Sequence, residues 1–140
     1  LWRVDPSTLP AFNRSGKKVR KIGCGPLINL PALQGLLNSA DFDLDALWVA
    51  TDRCELDLES YRWTYEDVVH MLVCLKAGDF DKSEWCQVKG GSVLPCDVYV
   101  MPYDEIRRQR NTKGLEVYMK FSIDSTGALS LVLVSCHPSR

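Results

Sequence analysis

The sequence predicts a single α+β domain, with N-terminal helices packed on a C-terminal antiparallel sheet. Apolar residues recur at helical spacing up to about residue 78 and alternate at strand spacing beyond it. The chain has 140 residues, the length of one domain with a core of its own. By composition and periodicity, residues 1–26 are expected to form an irregular basic arm. Residues 27–78 form the helical part and 79–140 the sheet.

In the arm, Pro6, Pro10, Gly16, Gly23, Gly25 and Pro26 interrupt any period. It holds the basic cluster Lys17-Lys18-Val19-Arg20-Lys21, which is a solvated segment or an RNA-steering patch. A first helix is expected near Pro31 to Ser39, because proline suits a first turn and Leu33, Leu36 and Leu37 make an apolar stripe. Ala46 to Ala50 is a short apolar strand. Thr51 or Asp52 caps a brief helix that includes Leu56 and Leu58. The strongest helix runs from Tyr65 to Ala77. Thr64 and Asp67 form a capping box, Val68, Leu72 and Leu75 line one face, and Gly78 ends it. His70 is expected on its less apolar side, as a surface or half-buried residue.

Strands are expected at Glu84–Val88 and Asp97–Tyr103, with Gly90-Gly91 turning between them and a polar loop over 104–114 after them. Leu115 to Ile123 is the clearest strand. Leu115, Val117, Met119, Phe121 and Ile123 share one face, and Glu116, Tyr118, Lys120 and Ser122 the other. Ser125-Thr126-Gly127 signals a hairpin turn into a last strand, Ala128 to Cys136.

No apolar run approaches the roughly 20 residues of a membrane span. The N-terminus lacks the basic, apolar, small order of a signal peptide. A cytoplasmic protein with no membrane association is therefore expected. The six cysteines form no C-x-x-C pair, and the only histidines are His70 and His137, so neither metal nor cofactor is expected. An even cysteine count also suits three disulfides in a secreted chain. Placement inside apolar periodic segments favours reduced thiols acting as small core residues.

The net charge of −1 hides a strong asymmetry, +5 over residues 1–40, −8 over 41–81 and +2 over 82–140. Nucleic acid would be drawn to the ends of the chain, not its middle. A pI near 6.1 argues against indiscriminate RNA coating and leaves room for a local basic cleft.

Tyr118 and Lys120 point the same way, two residues apart on a strand face that the core does not need. A phenol and an ammonium there can grip a phosphate or hold a base, although both are ordinary occupants of a solvated face. His137 follows the last strand, and histidine is the usual general acid or base near neutral pH.

Three strings occur in order ahead of Val132-Leu133-Val134-Ser135-Cys136-His137. They are Asp79-Phe80-Asp81-Lys82-Ser83, Asp97-Val98-Tyr99 and Gly114-Leu115-Glu116-Val117-Tyr118-Met119-Lys120. Together they resemble the MqsR family, mRNA interferase toxins of type II toxin–antitoxin systems, which implies a RelE-like fold with a few helices packed on a curved antiparallel sheet. The likeness runs from Val68 to His137. Before residue 60 only the order of helices agrees.

The resemblance implies catalytic roles for Lys82 and Tyr118. It puts Cys96 where the family has a glutamine and His137 where it has a C-terminal lysine. A thiol does not replace an amide, whereas histidine keeps a cation. The expected activity is metal-independent endoribonuclease cleavage of messenger RNA by attack of the 2′-OH. His137 is base or acid, Lys82 stabilises charge, and Tyr118 donates a proton or stacks. Lys120, Tyr99, Arg107, Arg108 and Arg110 are expected to bind flanking RNA. Lys82, Tyr118 and His137 should meet in one concave patch, with Cys96 at its rim. A cognate antitoxin protein is the implied partner. The alternative is a catalytically impaired RelE-like module that binds RNA or an antitoxin-like protein without cutting.

Overall fold

Local capping and a two-residue alternation account for most elements of the computed structural model, which describes residues 1–10, 20–125 and 128–139. Among these residues there are three α-helices and seven strands. Helix α1 spans Leu30–Leu37. Asn29 caps it by accepting the Ala32 N–H, and Pro31 sits in its first turn. Thr51 caps α2, Asp52–Tyr61, and Thr64 and Asp67 form the reciprocal box that opens α3, Tyr65–Cys74.

The strands are β1 (Lys21–Ile22), β2 (Leu47–Val49), β3 (Phe80–Gln87), β4 (Val93–Asp104), β5 (Gln109–Arg110), β6 (Leu115–Asp124) and β7 (Ser130–Pro138). They form one open sheet in the order β1-β3-β4-β6-β7-β2, with β5 paired to β4. Every pairing is antiparallel except β2 with β7. The fold is thus α+β with a mostly antiparallel sheet.

The helices cover one face. Leu30, Leu33 and Leu37 of α1, Cys54 and Leu58 of α2 and Val68, Met71 and Leu72 of α3 enter one core. Tyr99, Met101, Tyr103, Val117, Met119, Phe121, Leu131 and Leu133 meet them from the sheet. The alternation expected for 115–123 appears as buried Val117, Met119, Phe121 and Ile123. The opposite face carries a smaller cluster at one end, formed by Ala50, Cys86, Val88, Cys96, Val132 and Val134.

Several expectations need correction. The arm is not irregular throughout. Trp2 bridges Ile28, the Arg3 guanidinium donates to the Pro26 and Cys24 carbonyls, and β1 adds an edge strand to β3. The sheet therefore draws on residues outside 79–140. Of the basic cluster, residues 17–19 lie outside the described residues, as do Thr126 and Gly127 of the expected turn. Arg20 and Lys21 lead into β1 and run beside β3, where the Arg20 carbonyl accepts the Trp85 N–H.

Gly78 does not end α3, which stops at Cys74. Side chains bond the carbonyls at that end. Gln34 donates to those of Leu72, Val73 and Leu75, and Arg110 to that of Cys74. Residues Ala77–Asp79 form a separate 3-10 turn. In α2, Leu56 is exposed because Cys54, Asp57 and Leu58 occupy the inward arc. Strand β3 starts at Phe80, four residues earlier than the alternation suggests, because a bulge between Phe80 and Lys82 breaks the pattern. The polar loop contains β5, which pairs Arg110 with Tyr103.

All six cysteines are free and four are buried. Burial pushes the Cys54 thiol up to about 12 from an ordinary value near 9, and raises Cys136 further. Burial likewise pushes the Tyr99 phenol up to about 12 and raises that of Tyr103. Each group keeps its proton in the fold over a range where the unfolded chain has released it. Their contribution is complete below about pH 9 and shrinks above it. Melting temperature should hold steady from neutral pH to about 9 and then fall steeply. A flat profile up to about pH 11 would contradict this burial.

Candidate active site

The sheet face away from the helices presents a band of polar side chains on β3, β6 and β7. Cross-strand register sets it out. Lys82, Val98, Lys120 and Ser135 are successive partners across β3, β4, β6 and β7. One step along, Tyr118 stands opposite Val100 on one side and His137 on the other. Paired residues share a face, so these side chains emerge together.

Tyr118 and His137 stack, with ring centroids 5.1 Å apart and planes at 12°. The Lys120 ammonium lies 5.8 Å from the centre of the Tyr118 ring. Its firmest bond is to Glu84, at 2.7 Å, and Glu84 also lies 3.8 Å from the Lys82 ammonium. The band reads Lys82, Glu84, Lys120, Tyr118, His137, an unbroken chain of contacts across three of its strands. Lys82 and Lys120 sit two strands apart, roughly 10 Å at the backbone.

Lys82 is the open end, with 41% of its side chain exposed. Lys120 is held down, at 17%. Burial is the largest single influence and works against the Lys120 ammonium, but the Glu84 bond together with Cys86, Tyr118 and the Glu84 charge outweighs it. The net effect raises its pKa. Lys120 is therefore a fixed cation whose charge Glu84 already partly balances, while Lys82, more exposed and farther from the same carboxylate, is the cation better placed to reach a ligand.

The His137 ring is oriented by its own strand end. Its Nδ1 lies 2.7 Å from the Pro138 carbonyl. A carbonyl only accepts, so Nδ1 carries the hydrogen. In the neutral ring, Nε2 then holds a lone pair able to take a proton.

Cys96 forms the floor of the band and not its rim. It is 0% exposed, in the cluster with Cys86 and Val134. Lys120 and Glu84 reach toward each other from β6 and β3, on either side of the β4 strand that carries it. The neighbouring Cys96 thiol and nearby Lys120 lower the Cys86 thiol, against burial, while Cys96 is raised by its Cys86 neighbour and by burial.

Other expected contacts with RNA lie elsewhere. Tyr99 is buried in the helix-side core, 5.6 Å from the Phe80 ring and 5.7 Å from that of Phe121. Its register partner is core residue Met119, which sets its side. Arg110 is gripped by Asp79 and donates to the Cys74 carbonyl. Arg108 pairs with Asp67 on α3 at 3.2 Å, and His70 Nε2 donates to the Arg108 carbonyl at 2.7 Å. These arginines pin the β4–β5 turn to the helices. Arg107 is exposed in that same turn.

Sequence reasoning missed Glu84. The available signal was its spacing, two residues after Lys82 and so on the same face. It also missed the structural work of those three strings. Ser83 donates to Asp97 at 2.6 Å, and Asp97 also accepts the Leu27 and Ile28 N–H groups. Asp79 binds Arg110, and Phe80 meets Tyr99.

Among the described residues, no three His, Cys, Asp or Glu side chains gather as a metal site. No helix among them is long and apolar enough to cross a membrane. Compared with protein-family models, curated proteins and solved structures, the chain matches none.

Proposed function

We propose that this protein is a metal-independent endoribonuclease of RelE-like type, acting on single-stranded messenger RNA in the cytoplasm and held in check by an antitoxin protein. The observation that carries this reading is the oriented His137 imidazole stacked on Tyr118, in one band with two lysines on a face that the helices leave open.

The chemistry needs few parts. Nε2 of neutral His137 takes the proton of a ribose 2′-OH. The 2′-oxygen attacks the adjacent phosphorus, and the bond from phosphorus to the 5′-oxygen breaks. That oxygen leaves with a proton, donated by Tyr118 or by the imidazolium formed in the first step. The products are a 2′,3′-cyclic phosphate and a 5′-hydroxyl. Lys82 stabilises the charge that builds on the phosphorane, and Lys120, with its charge shared by Glu84, positions the neighbouring phosphate. Removing one such electrostatic donor typically costs about 2.7–4 kcal/mol of transition-state stabilisation.

The purified protein should cut an unstructured RNA in EDTA and leave those termini. Lys82→Ala should slow cleavage by roughly 10²–10³, measured under single-turnover conditions. If no product forms at any protein concentration, the nuclease assignment falls.

A second reading has its own support. A buried thiol, Cys96, stands where the family resemblance calls for a glutamine, and Glu84 draws charge from Lys120. A RelE-like module that binds RNA or an antitoxin-like protein without cutting fits those two facts. RNA binding in a gel shift without cleavage would favour it.

A further inference from the structure

We propose that a pocket on the same sheet face, next to the lysine–tyrosine band, binds one unpaired nucleobase of the RNA strand. This rests on the RNA reading above and adds to it the recognition of a base near the scissile phosphate.

The pocket has a volume of about 590 Å³, and Trp2 and Trp48 are among the residues that line it. Trp48 is 42% exposed although it lies in a strand, so a large aromatic surface remains uncovered there. Leu94, Pro95 and Val132 give the pocket an apolar base, while Ser92, Ser130 and Asp124 bring polar groups to it. Flat aromatic walls with a few hydrogen-bonding groups suit a nucleobase, which has an apolar face and a polar edge.

Position supplies the second reason. Val132 is the register partner of both Trp48 on β2 and Ser122 on β6. Ser122 lines the pocket and follows Lys120 by two residues on the same face. That step is about 7 Å along a strand, and Trp48 lies two strands beyond Ser122, roughly 10 Å further across the sheet. A strand with one phosphate at Lys120 can therefore lay a base one or two nucleotides along onto Trp48. Trp2 belongs to the N-terminal segment and Trp48 to β2, and neither lies in the Val68–His137 stretch that carries the family resemblance.

The test uses a fluorescent oligonucleotide of 2′-O-methyl RNA, which lacks the attacking hydroxyl and stays intact. A series carries a single abasic site at each position in turn, and binding is followed by anisotropy at one fixed salt concentration. With the parent protein, one abasic position should weaken binding about tenfold and relieve the quenching of tryptophan emission that the intact oligonucleotide causes. Trp48→Ala should lose that positional penalty, and Trp48→Phe, which keeps a ring, should retain most of it. The emission readout needs no variant, so it stands even if Trp48→Ala fails to fold. Tight binding with no position-dependent penalty and no quenching would overturn the pocket and leave the RNA reading intact. No binding by the parent, together with no cleavage of unmodified RNA, would remove both.

Discussion

His137→Ala should cut RNA roughly 10²–10⁴ times more slowly than the parent, the usual range for loss of a positioned acid–base group. The expectation follows from three placements. β7 sets His137 directly across from Tyr118. The Pro138 carbonyl fixes which ring nitrogen carries the hydrogen. The phenol ring holds the plane of the imidazole. Alanine removes the proton acceptor and also frees the Tyr118 ring. His137→Gln keeps a polar side chain but cannot cycle a proton, and it should be nearly as slow. Both variants should melt close to the parent, because His137 is only half-buried at the end of the last strand. Single-turnover rates over a range of pH, paired with melting curves, check this. A variant that is folded and as fast as the parent would remove His137 from the mechanism.

Asp97→Ala should produce the largest loss of stability of any polar substitution in the sheet. Asp97 is fully buried at the centre of β4. Its oxygens accept the Leu27 N–H at 3.0 Å, the Ile28 N–H at 2.9 Å and the Ser83 hydroxyl at 2.6 Å. Alanine strands two buried backbone donors and a hydroxyl. Each orphaned buried group costs about 1–3 kcal/mol, so the loss should be on the order of 3 kcal/mol or more. That is a large part of the 5–15 kcal/mol typical of a whole domain, and a fall in melting temperature of about 10 °C. Ser83→Ala should be milder, because it removes one donor and leaves the backbone bonds in place. A melting temperature for Asp97→Ala within about 2 °C of the parent would contradict this account.

The helices and the long strand were legible because their signals are local. Thr64 and Asp67 sit three residues apart and cap α3 as expected. Val117, Met119, Phe121 and Ile123 alternate and are buried as expected. The misjudged boundaries have non-local causes. Gln34, far back on α1, satisfies the end of α3 and makes Gly78 unnecessary there. The bulge near Phe80 hides the start of β3 from any two-residue count.

The candidate site divides in the same way. Tyr118 and Lys120 lie two apart on one strand, so periodicity alone puts them on one face. Nothing local says that His137 stands opposite Tyr118, that Glu84 joins the two lysines, or that Cys96 lies beneath them. Nor does it say that Arg108 and Arg110 turn to the helix side and bond Asp67 and Asp79.

By itself the sequence determined the α+β order, the capped helices, and which residues of β6 face the core, since each depends on neighbours within a few positions. Only the tertiary structure decided what meets on the open face. Register across β3, β4, β6 and β7 joins residues tens of positions apart, and one bulge is enough to change which of them become partners.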